Sequence, residues 1–402
     1  MSNPYHYRDK RNDGMIAAVA EVIPDAELYD ISGIQFIQLN SLYQLFSMVK
    51  SQDPQLKSAQ DFLMIPDLLR YFLTGHKAVE YSNATTTQLI DVRTAQWSEA
   101  LITRLGIPRH IFPEIISPLS VVGNLLPELQ EELGLGAIPI VATTSHDTAS
   151  AVAGIPDLDE KSAYISSGTW SLMGAEVQGQ RLYPKAFEFN LTHEGGVNET
   201  IRLLKNIGGM WFLQECRRIW QREAKNYSWQ EMMGLAEVAP SFKAFINPND
   251  QRFFHTNDMP QAILDYCQQT GQAMPENDGE MLRIILESLA MSYRKVWDEL
   301  EAVLGHSLEA LRIVGGGSQN ALLCQFSAEA VGKRVIAGPV EATALGNIIV
   351  QAVATGHLRD IEAGRGVVGG SSPLTTYYPT NPQAWQQAYE RYLNIVHPIK
   401  SH

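Results

Sequence analysis

Four polar residues at 145–148, Ser-His-Asp-Thr, interrupt an otherwise apolar stretch. Their side chains are of types that can take part in catalysis. The residues before it, 138–142 (Ile-Pro-Ile-Val-Ala), predict a buried strand that ends where the polar residues begin. A carboxylate at the end of such a strand lies at the edge of a sheet, so Asp147 is a candidate proton acceptor. Asp147 could equally be the N-cap of a helix that begins at Thr148, and both interpretations fit the residues.

Two small-residue segments further along the chain could hold an anion. Residues 166–169, Ser-Ser-Gly-Thr, form a turn whose backbone N–H groups can face a phosphate, although an ordinary hairpin turn has the same composition. An apolar strand at 311–314 runs into Gly315, Gly316 and Gly317 and then a helix start. Without Cβ atoms, this junction lets a nucleotide approach the backbone at a helix N-terminus. The spacing is neither the dinucleotide fingerprint nor a P-loop, which needs Lys.

These three features together match the requirements of phosphoryl transfer. That reaction needs a base for the incoming hydroxyl, amide donors around the phosphates and a backbone seat for the nucleotide. It also needs a dry cleft, which two closing domains provide. At 402 residues the chain is long enough for two domains. The residues therefore predict a two-domain α/β small-molecule kinase.

Composition excludes several other classes of function. With 31 basic and 44 acidic residues the formal net charge is −13, which leaves no basic stripe for nucleic acid. No apolar run approaches the ~18 residues of a membrane span, and no signal peptide is evident, so we expect a cytoplasmic protein without a membrane partner. Cys216, Cys267 and Cys324 are scattered without metal-ligand spacing, which predicts reduced thiols.

Periodicity and capping signals predict the elements around these residues. Helices are predicted near 15–22, 42–49, 62–73 and 98–105, and residues 203–214 lead into a further helix that carries Arg217 and Arg218. A long core helix is predicted from the capping box Asn277/Glu280 to Gly305. Residues 81–89 predict a loop or the wall of a cleft. Residues 192–196 predict a turn, and a metal site at His193 and Glu194 is disfavoured because adjacent residues point to different sides.

Five motifs together resemble the FGGY family of carbohydrate kinases and, within it, the kinases that act on L-rhamnulose. They lie at residues 145–151, 164–174, 204–207, 245–253 and 313–320. The resemblance runs from about residue 5 to the last helices. It implies the two-domain α/β fold of the sugar kinase, heat-shock protein and actin superfamily, which is an actin-like ATPase or ribonuclease H-like fold. The implied parts are a sugar-binding, catalytic-base domain at 1–154, a nucleotide-binding domain at 155–370 and a helical segment at 371–402.

The resemblance also implies ATP-dependent phosphorylation of L-rhamnulose at O1, with Mg²⁺. The partners would be a small ketose and ATP, in a monomer or weak homo-oligomer. Asp147 matches the general base of the family, and residues that match its sugar contacts are His146, Thr148 and Asn206. The residues that match its nucleotide-binding positions are Thr169, Gln214, Gly315, Gly316 and Gly317.

One feature departs from the family. FGGY kinases begin with strands that carry an Asp-x-Gly-x-x-Ser phosphate loop, and residues 1–14 contain no such motif. The chain looks like a member without its first strands, with an incomplete first domain. We therefore expect weakened transition-state stabilisation, little turnover and exposed apolar surface. The alternatives are a fuculose or xylulose kinase and a non-catalytic protein that binds sugar or nucleotide. A chaperone-type ATPase is disfavoured because no peptide-binding domain is evident.

Overall fold

Two of the predicted helices end where local signals place them. The computed structural model describes residues 5–6, 9–179, 181–254 and 256–396. Gly75 and Gly305 end two predicted helices in the left-handed conformation, with φ of 71° and 79°. The helices are α1 Met15–Ala20, α2 Asp25–Ser32, α3 Ser41–Lys50, α4 Pro54–Ser58, α5 Ile65–Thr74, α6 Tyr81–Ala84, α7 Glu99–Arg104, α8 Pro127–Leu133, α9 Asp147–Ala153, α10 Trp211–Arg222, α11 Trp229–Val238, α12 Met259–Gln269, α13 Asp278–Leu304, α14 Ala321–Val331, α15 Ala342–Ala354, α16 Ile361–Ser371 and α17 Pro382–Val396. In these ranges no helix combines the length and the apolar composition that crossing a membrane requires.

The strands form one large sheet and three short pairs. They are β1 Ala78–Glu80, β2 Ile90–Asp91, β3 Gln96–Trp97, β4 Glu114–Ile116, β5 Ser120–Asn124, β6 Pro139–Ala142, β7 Ser162–Ser167, β8 Trp170–Gln178, β9 Thr192–Gly195, β10 Thr200–Gly208, β11 Ala310–Val314, β12 Arg334–Ala337 and β13 Thr375–Tyr377. The large sheet has the order β13-β12-β11-β7-β8-β10-β9. Strand β11 is parallel to β7 and β12, whereas β7–β8 and β9–β10 are antiparallel.

The chain divides into two compact units. The first comprises residues 1–157, 176–205 and 343–368, and the second comprises residues 158–175, 206–342 and 369–402. In the first unit, the helices of residues 15–112 pack around one apolar core centred on Leu28, Leu42, Leu89 and Leu101. In the second unit, α13 is buried along most of its length, as expected for a core helix.

The capping signal of α13 is only half of a capping box. The side chain of Asn277 accepts the N–H of Glu280 at 3.0 Å, as predicted. The carboxylate of Glu280, however, accepts the N–H of Glu276 and binds Lys243. The helix therefore begins at the predicted residue. The second bond of a capping box, from the N–H of Asn277 to the side chain of Glu280, is not formed.

Three local predictions are wrong, two because of pairing with another strand and one because of a helix cap. Strand β6 is not a buried strand: it pairs with β5 in a two-stranded sheet, and of its residues only Ala142 is buried. Residues 81–84 are helical because the Glu80 side chain caps them. Residues 192–195 are the strand β9, because they pair with 201–204 of β10.

An apolar stripe is exposed on α5. Ile65, Leu69 and Phe72 are exposed, and their i, i+4, i+7 spacing puts them on one face of the helix. This face of α5 is exposed apolar surface within the first unit. The incomplete first domain stays a prediction.

Candidate active site

Asp147 is an exposed carboxylate at the start of a buried helix. It is the first residue of α9, and its side chain is 81% exposed. The residues after it, from Thr148 to Ala153, are all buried. The N-cap interpretation of Asp147 is wrong, because His146 holds the N-cap position and its side chain makes no capping hydrogen bond. The Asp147 carboxylate is thus left available to a proton donor from solvent or a ligand.

A buried carboxylate holds the loop that precedes Asp147. The Glu80 side chain accepts hydrogen bonds from the backbone N–H of Ser145 at 2.9 Å and from its hydroxyl at 2.7 Å. It also accepts the N–H and hydroxyl of Ser82. The loop is therefore held by a residue 65 positions earlier in the chain.

The ring of His146 is held by a buried ion pair. Its Nδ1 lies 3.1 Å from Nη2 of Arg202 and 3.2 Å from Oε2 of Glu194, while its Nε2 lies 3.6 Å from Oδ1 of Asp147. An arginine can only donate and a carboxylate can only accept. The ring is therefore held whether or not Nδ1 carries a proton.

The ion pair of Glu194 and Arg202 is fully desolvated. Arg202 has 0% of its side chain exposed, and its Nε donates to the carbonyl of Gly195 at 3.0 Å. Burial alone would raise the pKa of Glu194, but the Arg202 guanidinium and His146 outweigh it and lower that pKa. Glu194 is therefore the counter-charge that keeps Arg202 in place.

Close packing fixes the body of α9. Thr148 is 2% exposed, and its hydroxyl donates to Oδ1 of Asp147 at 3.3 Å. A Cβ at Gly346 of α15 would lie 1.7 Å from the carbonyl oxygen of Ser150, so only glycine permits this approach. The side chain of Asn347 donates to the Thr143 hydroxyl at 3.1 Å. The start of α9 is thus set by α15 as well as by Glu80.

In the second unit, the turn at 166–169 is a tight β7–β8 hairpin with α10 docked on it. Thr169 is exposed, and its carbonyl accepts the N–H of Trp211, the first residue of α10. Gly209 is required, because a Cβ there would lie 2.5 Å from the Trp170 carbonyl carbon. Gln214 is exposed in the first turns of α10. The hairpin interpretation is therefore correct, and the turn and the helix that carries Gln214 are neighbours.

The triple glycine packs on the same hairpin. Gly315 has φ of 82°, and a Cβ on it would lie 2.8 Å from the Ser167 carbonyl oxygen, while one on Gly317 would lie 1.9 Å from the Ser167 hydroxyl. Gly316 faces open space. The α-helix that follows does not start at the glycines, because a 3₁₀ turn, Gly316–Gln319, intervenes before Asn320 caps α14.

The second unit thus brings most of the predicted nucleotide residues to one place. Gly316 and Thr169 are exposed at the hairpin, where Gly316 leaves room for a ligand. Such a surface fits the phosphates or sugar of a nucleotide. Asn206 lies half-buried on β10 in this unit.

The roles of Glu80, Glu194 and Arg202 were not predicted from the sequence. A signal existed for Arg202, which is a charged residue between Ile201 and Leu203 in an apolar strand. For Glu80 there was none, since its partner Ser145 lies 65 residues away. Glu194 pairs with Arg202 across the β9–β10 ladder, which the prediction of a turn at 192–196 did not include.

The described residues offer no protein-liganded metal site. Within 5–6, 9–179, 181–254 and 256–396, no group of three or more His, Cys, Asp or Glu side chains is placed to hold a metal ion. These residues therefore do not fit a Mg²⁺ ion held by the protein alone.

Comparison with known proteins places the chain in a family. The profile of the N-terminal domain of the FGGY family of carbohydrate kinases matches residues 3–154, and that of the C-terminal domain matches residues 163–355. The rhamnulokinase of Bacteroides thetaiotaomicron is 42% identical over 396 residues, which cover 98% of this chain and 81% of that protein. The rhamnulokinase of Pectobacterium atrosepticum is 41% identical, with coverage of 98% and 78%.

Solved structures with the same fold share little sequence. A ligand-bound xylulose kinase from Lactobacillus acidophilus superposes with a TM-score of 0.79 at 15% identity, covering 100% of this chain and 80% of that one. Plasmodium falciparum glycerol kinase with ADP superposes with a TM-score of 0.76 at 18% identity, covering 98% of this chain and 78% of that one. The predicted fold class is confirmed: this is the two-domain α/β fold of the sugar kinases, of the actin-like ATPase type. The chain belongs to the FGGY family of carbohydrate kinases.

Proposed function

We propose that this kinase transfers the γ-phosphoryl group of ATP to O1 of L-rhamnulose, giving L-rhamnulose 1-phosphate and ADP. The observation that carries the proposal is the identity of about 40% with several rhamnulokinases over nearly the whole chain. The arrangement of side chains around Asp147 supports it.

Asp147 is the proposed general base. As O1 of the sugar attacks the γ-phosphorus, its proton passes to a carboxylate oxygen of Asp147, the new O–P bond forms, and the bond to the β-phosphate oxygen breaks. An exposed carboxylate on a rigid helix suits this step, because it meets the substrate without reorganising. His146 and Thr148, its neighbours in the chain, are the proposed sugar contacts in the first unit. Asn206 of the second unit is proposed as a further sugar contact from the family resemblance alone.

The proposed nucleotide site is the β7–β8 hairpin with its glycine neighbours. Backbone amides at Thr169 and Gly316 face the nucleotide in this proposal, and Gln214 contacts it from α10. Amide donors stabilise charge that develops on a transferring phosphoryl group. Mg²⁺ stays a prediction from the family, and no step is assigned to it.

The test separates substrate choice from turnover. Calorimetry measures binding of L-rhamnulose, L-fuculose, D-xylulose, D-gluconate and glycerol, and ³¹P NMR follows transfer from ATP to each. We expect L-rhamnulose to bind at least tenfold more tightly than the other ketoses and to be the substrate phosphorylated fastest. Preference for another sugar would contradict the proposal, and binding without any transfer would favour a non-catalytic role.

The proposal includes the cellular compartment of the protein. Cys216, Cys267 and Cys324 are buried and free, which fits a reducing compartment such as the cytosol. A monomer or weak homo-oligomer stays the prediction for the quaternary state.

A further inference from the structure

We propose that Glu80 is a positioning residue for phosphoryl transfer, acting through the backbone of Ser145 and His146 on the carboxylate of Asp147. The inference rests on the proposed role of Asp147 as general base. Glu80 has no exposed surface and touches no part of a substrate, so any effect on catalysis passes through the loop.

Glu80 caps α6, and this local role does not account for all its bonds. As the N-cap residue it accepts the N–H of Ser82 on Oε1 at 2.8 Å. A cap needs no more than that. Its Oε2, however, accepts the N–H and the hydroxyl of Ser145 and the hydroxyl of Ser82. Oε2 of Glu80 therefore binds the loop before Asp147, whereas Oε1 caps α6.

The local support of that loop comes from Ser150, whose hydroxyl donates to the carbonyl of Thr144 at 2.6 Å, and not from a helix cap. His146 occupies the N-cap position of α9 but makes no capping hydrogen bond. Its backbone N–H instead reaches the hydroxyl of Ser82 at 3.4 Å, and that hydroxyl is itself bound to Glu80. Glu80 therefore holds the backbone just before Asp147 directly and through Ser82, in addition to the contacts that Ser150 and α15 make.

Glu80 is in turn held rigidly by α5. Its own N–H donates to Oδ1 of Asp67 at 3.1 Å, and Arg70 donates to the carbonyl of Ala78 at 2.7 Å. Asp67 and Arg70 pair with each other at 3.0 Å. The strand β1 therefore presents the Glu80 carboxylate from a fixed position.

The hydrogen-bond pattern makes glutamine a specific probe of this role. Each carboxylate oxygen of Glu80 accepts one backbone N–H, from Ser82 on one side and from Ser145 on the other. In Glu80→Gln, the amide nitrogen must oppose one of these donors in either orientation of the side chain. The change keeps size and shape but breaks one of the two links.

The experiment compares Glu80→Gln with Ser145→Ala and with a matched buried control. Glu287→Gln is that control, because Glu287 is also buried and accepts a backbone N–H, from Phe242 at 2.7 Å, on α13 in the second unit. The measured quantities are kcat per folded molecule, KM for ATP, and amide hydrogen exchange of residues 143–148. The sugar used is the one that the wild type phosphorylates fastest.

We expect kcat of Glu80→Gln to fall by ~10- to 100-fold, since a small misplacement of a catalytic group has effects of that order. KM for ATP should change by less than about twofold, and exchange at 143–148 should accelerate. Ser145→Ala should show the same changes more weakly, and Glu287→Gln should keep the wild-type kcat. Unchanged exchange at 143–148 together with wild-type kcat in both Glu80→Gln and Ser145→Ala overturns the proposal. Exchange needs no turnover, so a wild type without kinase activity would refute the proposed function while this readout still decides the role of Glu80.

Discussion

At the scale of residues, Asp147 differs from the charged side chains around it. Glu80, Glu194 and Arg202 are buried and each is engaged by fixed partners, whereas Asp147 is exposed and receives one hydrogen bond at 3.3 Å from Thr148. A group that must accept a proton from a substrate needs this accessibility. The buried charges have the complementary task, because partners that cannot move keep the loop in one geometry.

Replacing Asp147 by Asn should abolish phosphoryl transfer. The amide keeps the shape of the side chain but cannot take the proton, and losses of general-base catalysis are ~10²- to 10⁴-fold. Binding of a non-hydrolysable ATP analogue, measured by calorimetry, should stay within about twofold of wild type. Asp157→Asn is the control, since Asp157 is exposed and sits at φ of 46°, which asparagine tolerates. Retained transfer in Asp147→Asn would exclude this residue as the base.

Replacing Glu194 by Gln should destabilise the protein. Removing one partner of a buried ion pair leaves Arg202 uncompensated, which costs about 3–5 kcal/mol. Urea unfolding at pH 7 measures the change, with Glu131→Gln as an exposed control. An equal loss in the two variants would mean that the pair makes no net contribution.

The same pair predicts a pH dependence. Because the pKa of Glu194 is lowered in the folded state, its contribution to stability is complete above the ordinary glutamate value of about 4.3. The contribution is lost as the pH falls below that value, through the lower folded pKa. Glu194→Gln should therefore lose less stability than wild type between pH 5 and pH 3. A parallel decline in both would contradict this assignment.

At the scale of elements, the orientation of α9 depends on contact with α15. Gly346→Ala would push a methyl group into the Ser150 carbonyl, and overpacking of this kind costs about 1–3 kcal/mol or more. Since Asp147 begins α9, the shift should lower kcat as well as the melting temperature. Both are measured on the purified variant.

A second helical glycine provides the control for Gly346→Ala. Gly366 of α16 is exposed and has nothing within 4 Å of a built Cβ. Gly366→Ala should raise stability by up to about 1 kcal/mol through helix propensity and leave kcat unchanged. If both alanine variants behave alike, the approach of α15 to α9 is not critical.

Elements with local signals could be predicted, and those without could not. The ends of α5 and α13 followed from Gly75 and Gly305, because a left-handed C-cap is a property of a few adjacent residues. Strand β9 contains Gly195 and polar residues that suggest a turn. It is a strand because β10 pairs with it, and no local pattern reports that partner.

The residues of the candidate site also differ in whether local sequence could predict them. Asp147, Thr169 and Gly316 stand out because residue type and neighbours suffice to suggest a base or an exposed backbone. Glu80 acts on Ser145 from 65 residues away, so its role becomes visible only when the fold brings the two together. Positioning residues are for this reason harder to predict than the residues they position.

At the scale of the whole molecule, the two compact units carry different parts of the proposed reaction. The first unit contains Asp147 with Glu80, Glu194 and Arg202, and the second contains the hairpin with Thr169 and Gly316. Each group is built from contacts within its own unit. Each should therefore respond to its own ligand.

Amide hydrogen exchange with single ligands tests this division of labour. L-rhamnulose alone should slow exchange at residues 143–150, because a sugar bound at Asp147 and His146 would cover that loop. A non-hydrolysable ATP analogue alone should slow exchange at 166–171 and 314–320, where exposed backbone would meet the nucleotide. Residues 281–290, inside the buried helix α13, serve as the internal reference, since neither ligand reaches them in this proposal. Protection of 143–150 by the ATP analogue without protection of 166–171, or the reverse pattern for the sugar, would show that the two sites are wrongly assigned.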